Sequence, residues 1–189
     1  MVEEDLFPGM RTVTAEDVAS KAAGAAFGKP LVTNNLRALL VEAMIDIALA
    51  PVWRWCAADY AGWDFQHESG TKLEVKQSAA RQTWTTATGG PSKSSFDIAA
   101  RTGYWVDGAT WMPGIGRNAD IYVLAHHPVE DVSADHRNPN QWNFYVVAAA
   151  ALPDTKSISL ARVRCLCSAV SFVELGQCVE SVRQRVNSG

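Results

Sequence analysis

Asp64, Glu74 and Lys76 are the residues whose types and spacing could do chemistry together. Two carboxylates held a few ångströms apart repel each other, which raises the pKa of one unless a cation neutralises the pair. Mg²⁺ suits such a pair, because it takes hard oxygen ligands and usually keeps waters in its remaining positions. One of those waters becomes a better nucleophile as its pKa falls, and the ion stabilises charge on phosphate oxygens. An ammonium group alongside can orient or deprotonate the water, or hold a phosphate as a point charge.

The stretch Trp63 to Ser78, WDFQHESGTKLEVKQS, is expected to gather the three as a β-hairpin. Glu68-Ser69-Gly70 reads as a three-residue loop, whose last position favours a left-handed glycine. Residue 67 then faces 71, and Asp64 falls opposite Glu74 on one face. Side chains alternate along a strand, so Lys76 joins that face while Leu73 and Val75 point away, opposite Phe65 and Trp63. Taken alone, Glu-x-Lys on a strand is more often a solvated surface with a weak ion pair. An aligned Asp backed by four apolar side chains is a more demanding pattern.

Asp64, nine further residues and then Glu74-Val75-Lys76 resembles the PD-(D/E)XK nuclease superfamily, the restriction-endonuclease-like fold. Its half-motifs are an Asp at one strand and (Asp/Glu)-x-Lys on the next. The segment Gln77 to Trp84 is similar to the polar stretch that follows the lysine in several branches, whereas Trp63 stands where the motif's proline, commonly absent, would be. The resemblance covers about residues 31–150. It implies an α/β fold with a mixed central β-sheet flanked by α-helices, and a Mg²⁺-dependent deoxyribonuclease, with Mn²⁺ able to replace Mg²⁺. It also implies Asp64 and Glu74 as metal ligands, the Val75 carbonyl as a further ligand, and Lys76 acting on the attacking water or scissile phosphate. Gln77, Ser78, Arg81 and Gln82 would be polar contacts to DNA, and Glu42, on the preceding helix, an additional acid. Two other readings stay open: a non-catalytic module that binds nucleic acid or protein on the same fold, and an oligomeric scaffold whose Glu and Lys merely pair.

The elements that must position these residues are legible in outline. A chain of 189 residues, 48% hydrophobic, suits one domain, with residues 1–30 as a helical extension, 31–150 as the nuclease-like core and 151–189 as a closing strand and helix. The net charge of −3 lacks the basic excess usual in nucleic-acid binders. The acidic start Met1-Val2-Glu3-Glu4-Asp5 is unlike a secretory leader, and no apolar run is long enough for a membrane, so a cytoplasmic protein is expected. Seven tryptophans offer anchors for a homodimer.

A first helix is expected from the Thr14/Asp17 cap to Ala26, and a second over Asn34 to Ala50, apolar around most of its circumference. Glu42 and Asp46 share a stripe there; either both face solvent or pair with Arg37 and Arg54, or Glu42 turns toward the metal. A polar loop is expected over 85–95, a short strand over Phe96 to Ala100, and an irregular tryptophan- and glycine-rich stretch through Gly116. Asp120 to Ala125 reads as a central strand buried on both faces. Asp120 there could cap the strand or face substrate. His126 and His127 point opposite ways and make a poor chelating pair. Strands are also expected over Trp142 to Val147 and Ile158 to Leu166, the latter projecting Arg162 and Arg164 and placing Cys165 and Cys167 on one face. The four cysteines read as buried free thiols rather than a zinc site. A Ser171/Glu174 capping box opens the last helix, with Val173, Leu175, Val179, Val182 and Val186 as its apolar side. No phosphate-binding glycine loop, nucleophile elbow or dinucleotide fingerprint is present.

Overall fold

Both expected capping boxes form. Thr14 accepts a hydrogen bond from the Asp17 amide while the Asp17 carboxylate returns to the Thr14 amide, starting α1 (Ala15–Phe27). Ser171 and Glu174 do the same for α4 (Phe172–Asn187). The computed structural model describes residues 12–56, 62–84, 92–106 and 109–188. Between those helices lie α2 (Asn34–Leu49), β1 (Trp53–Trp55), β2 (Phe65–His67), β3 (Lys72–Ala79), β4 (Ser95–Asp97), β5 (Arg101–Val106), β6 (Thr110–Gly116), β7 (Ile121–His127), β8 (Asn143–Ala148), β9 (Ser157–Ser159) and α3 (Leu160–Leu166).

The fold is mixed α/β. Its main sheet has five strands in the order β1-β2-β3-β7-β8, antiparallel except for the parallel β3–β7 pair. Every residue of β7 is buried, as its near-continuous apolar run predicts for a strand covered on both faces. Its odd residues Ile121, Val123 and Ala125 enter a core with α2 and α4, through Val41, Ile45, Leu175 and Val179. Gly176 lets those helices approach closely, since a Cβ there would meet the Ala48 carbonyl at 2.7 Å. Tyr122 and Leu124 face a second core with Phe96, Ile98, Ile158 and Val163. Parallel neighbours need a crossover, usually a helix. Here the crossover from β3 to β7 runs through β4, which pairs with β9, and through a separate two-stranded sheet of β5 and β6.

Several expectations change. Arg101–Val106 and Thr110–Gly116 pair as antiparallel strands with a register shift between Arg101 and Gly103, because Tyr104, Trp105, Trp111 and Met112 pair across them despite the interspersed glycines. Strand β9 stops at Ser159, whose hydroxyl accepts the Arg162 amide and starts α3, so Arg162 and Arg164 lie on a helix. Cys165 is consequently an exposed helical thiol, and Cys56, Cys167 and Cys178 are free but only half-buried. Helix α2 buries one side and leaves Ile47 72% exposed; on α4, Val173 is 86% exposed. α1 buries nothing among the described residues. Residues 85–91 of the expected polar loop lie outside the described residues. No helix among the described residues is long and apolar enough to cross a membrane.

Candidate active site

The hairpin that carries the acids forms in the expected register, with Phe65 opposite Leu73 and Gln66 opposite Lys72. Gly70 adopts φ 89°, the left-handed conformation the loop demands, and its amide donates to the His67 carbonyl at 2.8 Å. Pairing fails one step beyond Phe65. The Asp64 amide donates to the Leu73 carbonyl at 3.0 Å instead of pairing with Glu74, so the chain bends at Asp64 and β2 ends. Trp63 therefore does not join Val75 on the apolar face. It packs on the second core instead, edge-on to Tyr104 at 5.3 Å and 3.9 Å beneath the Lys72 ammonium.

The bend leaves β3 beyond Leu73 without a strand on its β2 side, and the Asp64 carboxylate fills part of that gap. Its Oδ2 accepts the Val75 amide at 2.6 Å. On an extended strand the N–H and C=O of one residue point the same way, so the Val75 carbonyl faces this open edge too. Glu74 and Lys76 are neighbours of Tyr122 and Leu124 in the ladder and share their face, where the Lys76 ammonium donates to Glu74 Oε1 in an ion pair. Asp120 keeps the ordinary role: its Oδ2 accepts the Lys72 amide at 2.8 Å and caps the start of β3.

Electrostatics tie the three together. Burial pushes both acids well above the ordinary carboxylate range; repulsion from Glu42 adds to the shift at Asp64, and repulsion from Asp64 adds to it at Glu74. Lys76 offsets part of this at both. Glu42 is also raised by burial, while its Oε2 accepts the Trp55 indole N–H at 3.0 Å. Helix α2 thus points a third acid toward the pair from the far side of the sheet. Arg101, at the start of β5, also draws the Glu74 pKa down. Among the described residues, no three His, Cys, Asp or Glu side chains gather closely enough to hold an ion by themselves.

The four polar candidates after Lys76 separate. Ser78 shares the face of Glu74 and Lys76 by alternation, next to His126 in the ladder. Gln77 and Gln82 instead grip Arg37: its Nε donates to Gln77 Oε1 at 2.6 Å, its Nη1 to Gln82 Oε1 at 2.9 Å, and its Nη2 to Asn34 Oδ1 at 2.8 Å. Arg81 contributes its backbone, accepting the His136 Nε2 at 3.1 Å. Arg37 is 1% exposed and carries no carboxylate partner in this network, so burial lowers its pKa to about 10. Neither Arg37 nor Arg101 stands out in the sequence as part of the site. The only signal for Arg37 is that a charged residue interrupts the buried stripe of α2 with Val41 and Ile45. No family model matches this chain, and no curated protein matches it.

Proposed function

We propose that this chain is a metal-dependent nuclease with a restriction-endonuclease-like core, hydrolysing phosphodiester bonds in DNA with Mg²⁺ or Mn²⁺ at the open edge of β3. One observation carries the reading: two half-buried acids, Asp64 and Glu74, repel each other, offset only in part by Lys76, by the Val75 amide at Asp64 and by Arg101 at Glu74. Perturbed, mutually repelling carboxylates are the mark of a site arranged for charge that is brought to it. Asp64, Glu74 and the Val75 carbonyl would hold the ion. Mg²⁺ commonly takes one or two carboxylates and keeps waters elsewhere, so two acids and a carbonyl suit it without a third side chain. The ion supplies a more acidic water and neutralises charge on the phosphate.

The residues of the chain do the rest. The Lys76 ammonium, which pairs with Glu74, would be the group to hold the attacking water or a phosphate oxygen. Asp64 is fixed by the Val75 amide, so its free oxygen points from a rigid strand. Arg37, held among three amide oxygens, positions Gln77 directly after Lys76 and sets where β3 ends against α2.

The closed Glu74–Lys76 pair favours one competing reading, a binding module in which the two merely satisfy each other. Plasmid and single-stranded DNA incubated with Mg²⁺ separate the two. Wild-type protein is expected to cut, and Lys76→Ala to lose roughly 10²- to 10⁴-fold in rate while still binding Mn²⁺. Undiminished cleavage by Lys76→Ala would remove the mechanism. No cleavage by wild type, with no Mn²⁺ bound, would leave the binding module.

A further inference from the structure

Strands β5 and β6 form a hairpin whose outward face is unpartnered among the described residues. Trp105 and Trp111 sit directly opposite each other, their rings 5.5 Å apart and inclined at 63°. Trp111 is held in place by an absence: a Cβ on Gly103 would come within 2.5 Å of the Trp111 ring, so the indole lies on bare backbone. Both indoles are about 40% exposed; Met112 lies opposite Tyr104 and so on the other face of the hairpin. Solvent contact of this kind is unfavourable for the largest apolar side chains in the chain.

The hairpin is rooted in the candidate active site. Its first residue, Arg101, lies within electrostatic reach of Glu74 and pairs with Asp97. Its inner face anchors through Tyr104 on Trp63, the residue before Asp64. Trp105 stands four residues beyond Arg101, about 13 Å along an extended strand, which is the span of a few nucleotides. In a chain with 20 acids, the strands Arg101–Val106 and Thr110–Gly116 contain none, so a phosphate backbone passing along them meets Arg101 and no carboxylate of theirs.

We infer that this face is a stacking platform for the bases of an unpaired nucleic-acid strand whose backbone enters the site at Asp64, Glu74 and Lys76. Exposed base faces stack on indoles without regard to sequence, whereas a duplex keeps those faces covered. A second protein copy fits less well, because two indoles fall far short of the roughly 20–30 residues a side of a stable protein interface. The inference rests on the nuclease reading for its substrate and is tested apart from it.

The test uses the full chain in EDTA, so that nothing is cut, with a fluorescein-labelled single strand and the same sequence as a blunt duplex. Anisotropy should show the single strand bound more tightly. Trp105→Ala and Trp111→Ala should each weaken it by on the order of tenfold, with Trp111→Phe retaining most of the affinity and duplex binding unchanged. Circular dichroism confirms that each variant folds. Single-strand binding that is absent in wild type, or equal in wild type and the double alanine variant, overturns the platform. So does sedimentation showing that the double variant turns a dimer into a monomer. The nuclease reading is judged separately by Mg²⁺-dependent cleavage: duplex cutting unaffected by the double variant, with single-strand binding also unaffected, sinks the platform and leaves the nuclease.

Discussion

Two groups of ionisable residues sit at different heights on the paired strands β3 and β7, and they have been resolved in opposite ways. Glu74, level with Tyr122, belongs to the acids; His127, level with Ala79, packs with His136 and Trp142, while His126, level with Ser78, turns to the other face and hydrogen-bonds Ser94. Burial pushes each group toward its neutral form, raising the acids and lowering the histidines, with His126 and His136 brought down to about 4. The histidines lose nothing by this at neutral pH. His136 Nδ1 accepts the Val32 amide at 3.0 Å, its Nε2 meets the Arg81 carbonyl, and His127 and Trp142 close around the ring. The acids are left repelling each other at an open edge. The Nδ1 atoms of His126 and His127 are buried without a hydrogen-bond partner among the described residues, so what sets the acids apart is their mutual repulsion at an open edge, and that is where function is expected.

The largest effect that would break this contrast lies in the histidines. His136→Ala removes two buried hydrogen bonds and a ring packed against Trp142, so it should destabilise by about 3 kcal/mol in chemical denaturation. A loss under 1 kcal/mol would mean that the cluster does not organise the core.

Next in size is the response of the acids to metal. A divalent ion needs both carboxylates ionised, and both pKa values are raised, so Mg²⁺ should stabilise more at pH 8 than at pH 6. At a hundredfold excess over Kd the gain at pH 8 is about 2.7 kcal/mol, and it should vanish in Asp64→Asn. Thermal melts with and without Mg²⁺ read this directly, and an equal shift in Asp64→Asn would place the ion elsewhere.

The smallest effect sharpens the comparison through pH. Unfolded histidines take protons near 6.5, but the native ones only near 4, so the histidines lower stability as pH falls through that window. The raised acids run the other way, since the native protein binds their protons more readily than the unfolded chain does. Glu74→Gln removes one repelling charge and should stabilise the metal-free protein by about 1 kcal/mol at pH 8. That gain should shrink as pH drops and wild-type Glu74 takes its own proton. Destabilisation by the same amount at every pH would show instead that Glu74 and Lys76 form an ordinary stabilising pair.

The local part of this architecture was legible. The hairpin register follows from one glycine and the alternation of Phe65, His67, Thr71 and Leu73, and it holds as far as Phe65 opposite Leu73, whereas the expected pairs Asp64–Glu74 and Trp63–Val75 do not form. Capping boxes at Thr14 and Ser171 mark both helix starts because each is a contact between residues three apart. The apolar run of β7 announces a central strand. Three features were not readable. Trp63 changes faces because the Asp64 side chain competes with the strand for the Val75 amide. The stretch 101–116 hides its alternation behind Gly103, Pro113 and Gly114, which lower strand propensity without preventing pairing in a two-stranded ribbon. Leu160–Leu166 becomes a helix because Ser159 caps it, its Leu, Ala and Arg favour helix, and Val163 docks in the second core.

What the amino-acid order determined by itself is short in range: where helices begin, where the chain turns, and which residues pair next to a tight loop. Interactions between neighbours three to ten residues apart are written into that order, since few other conformations compete with them. Tertiary structure alone decided that Arg37 would reach across to Gln77 and Gln82, that Glu42 would add its charge to Asp64, and that an aromatic ribbon would stand beside the acids. Those contacts depend on how the sheet twists and where the helices dock, which are properties of the whole packed core.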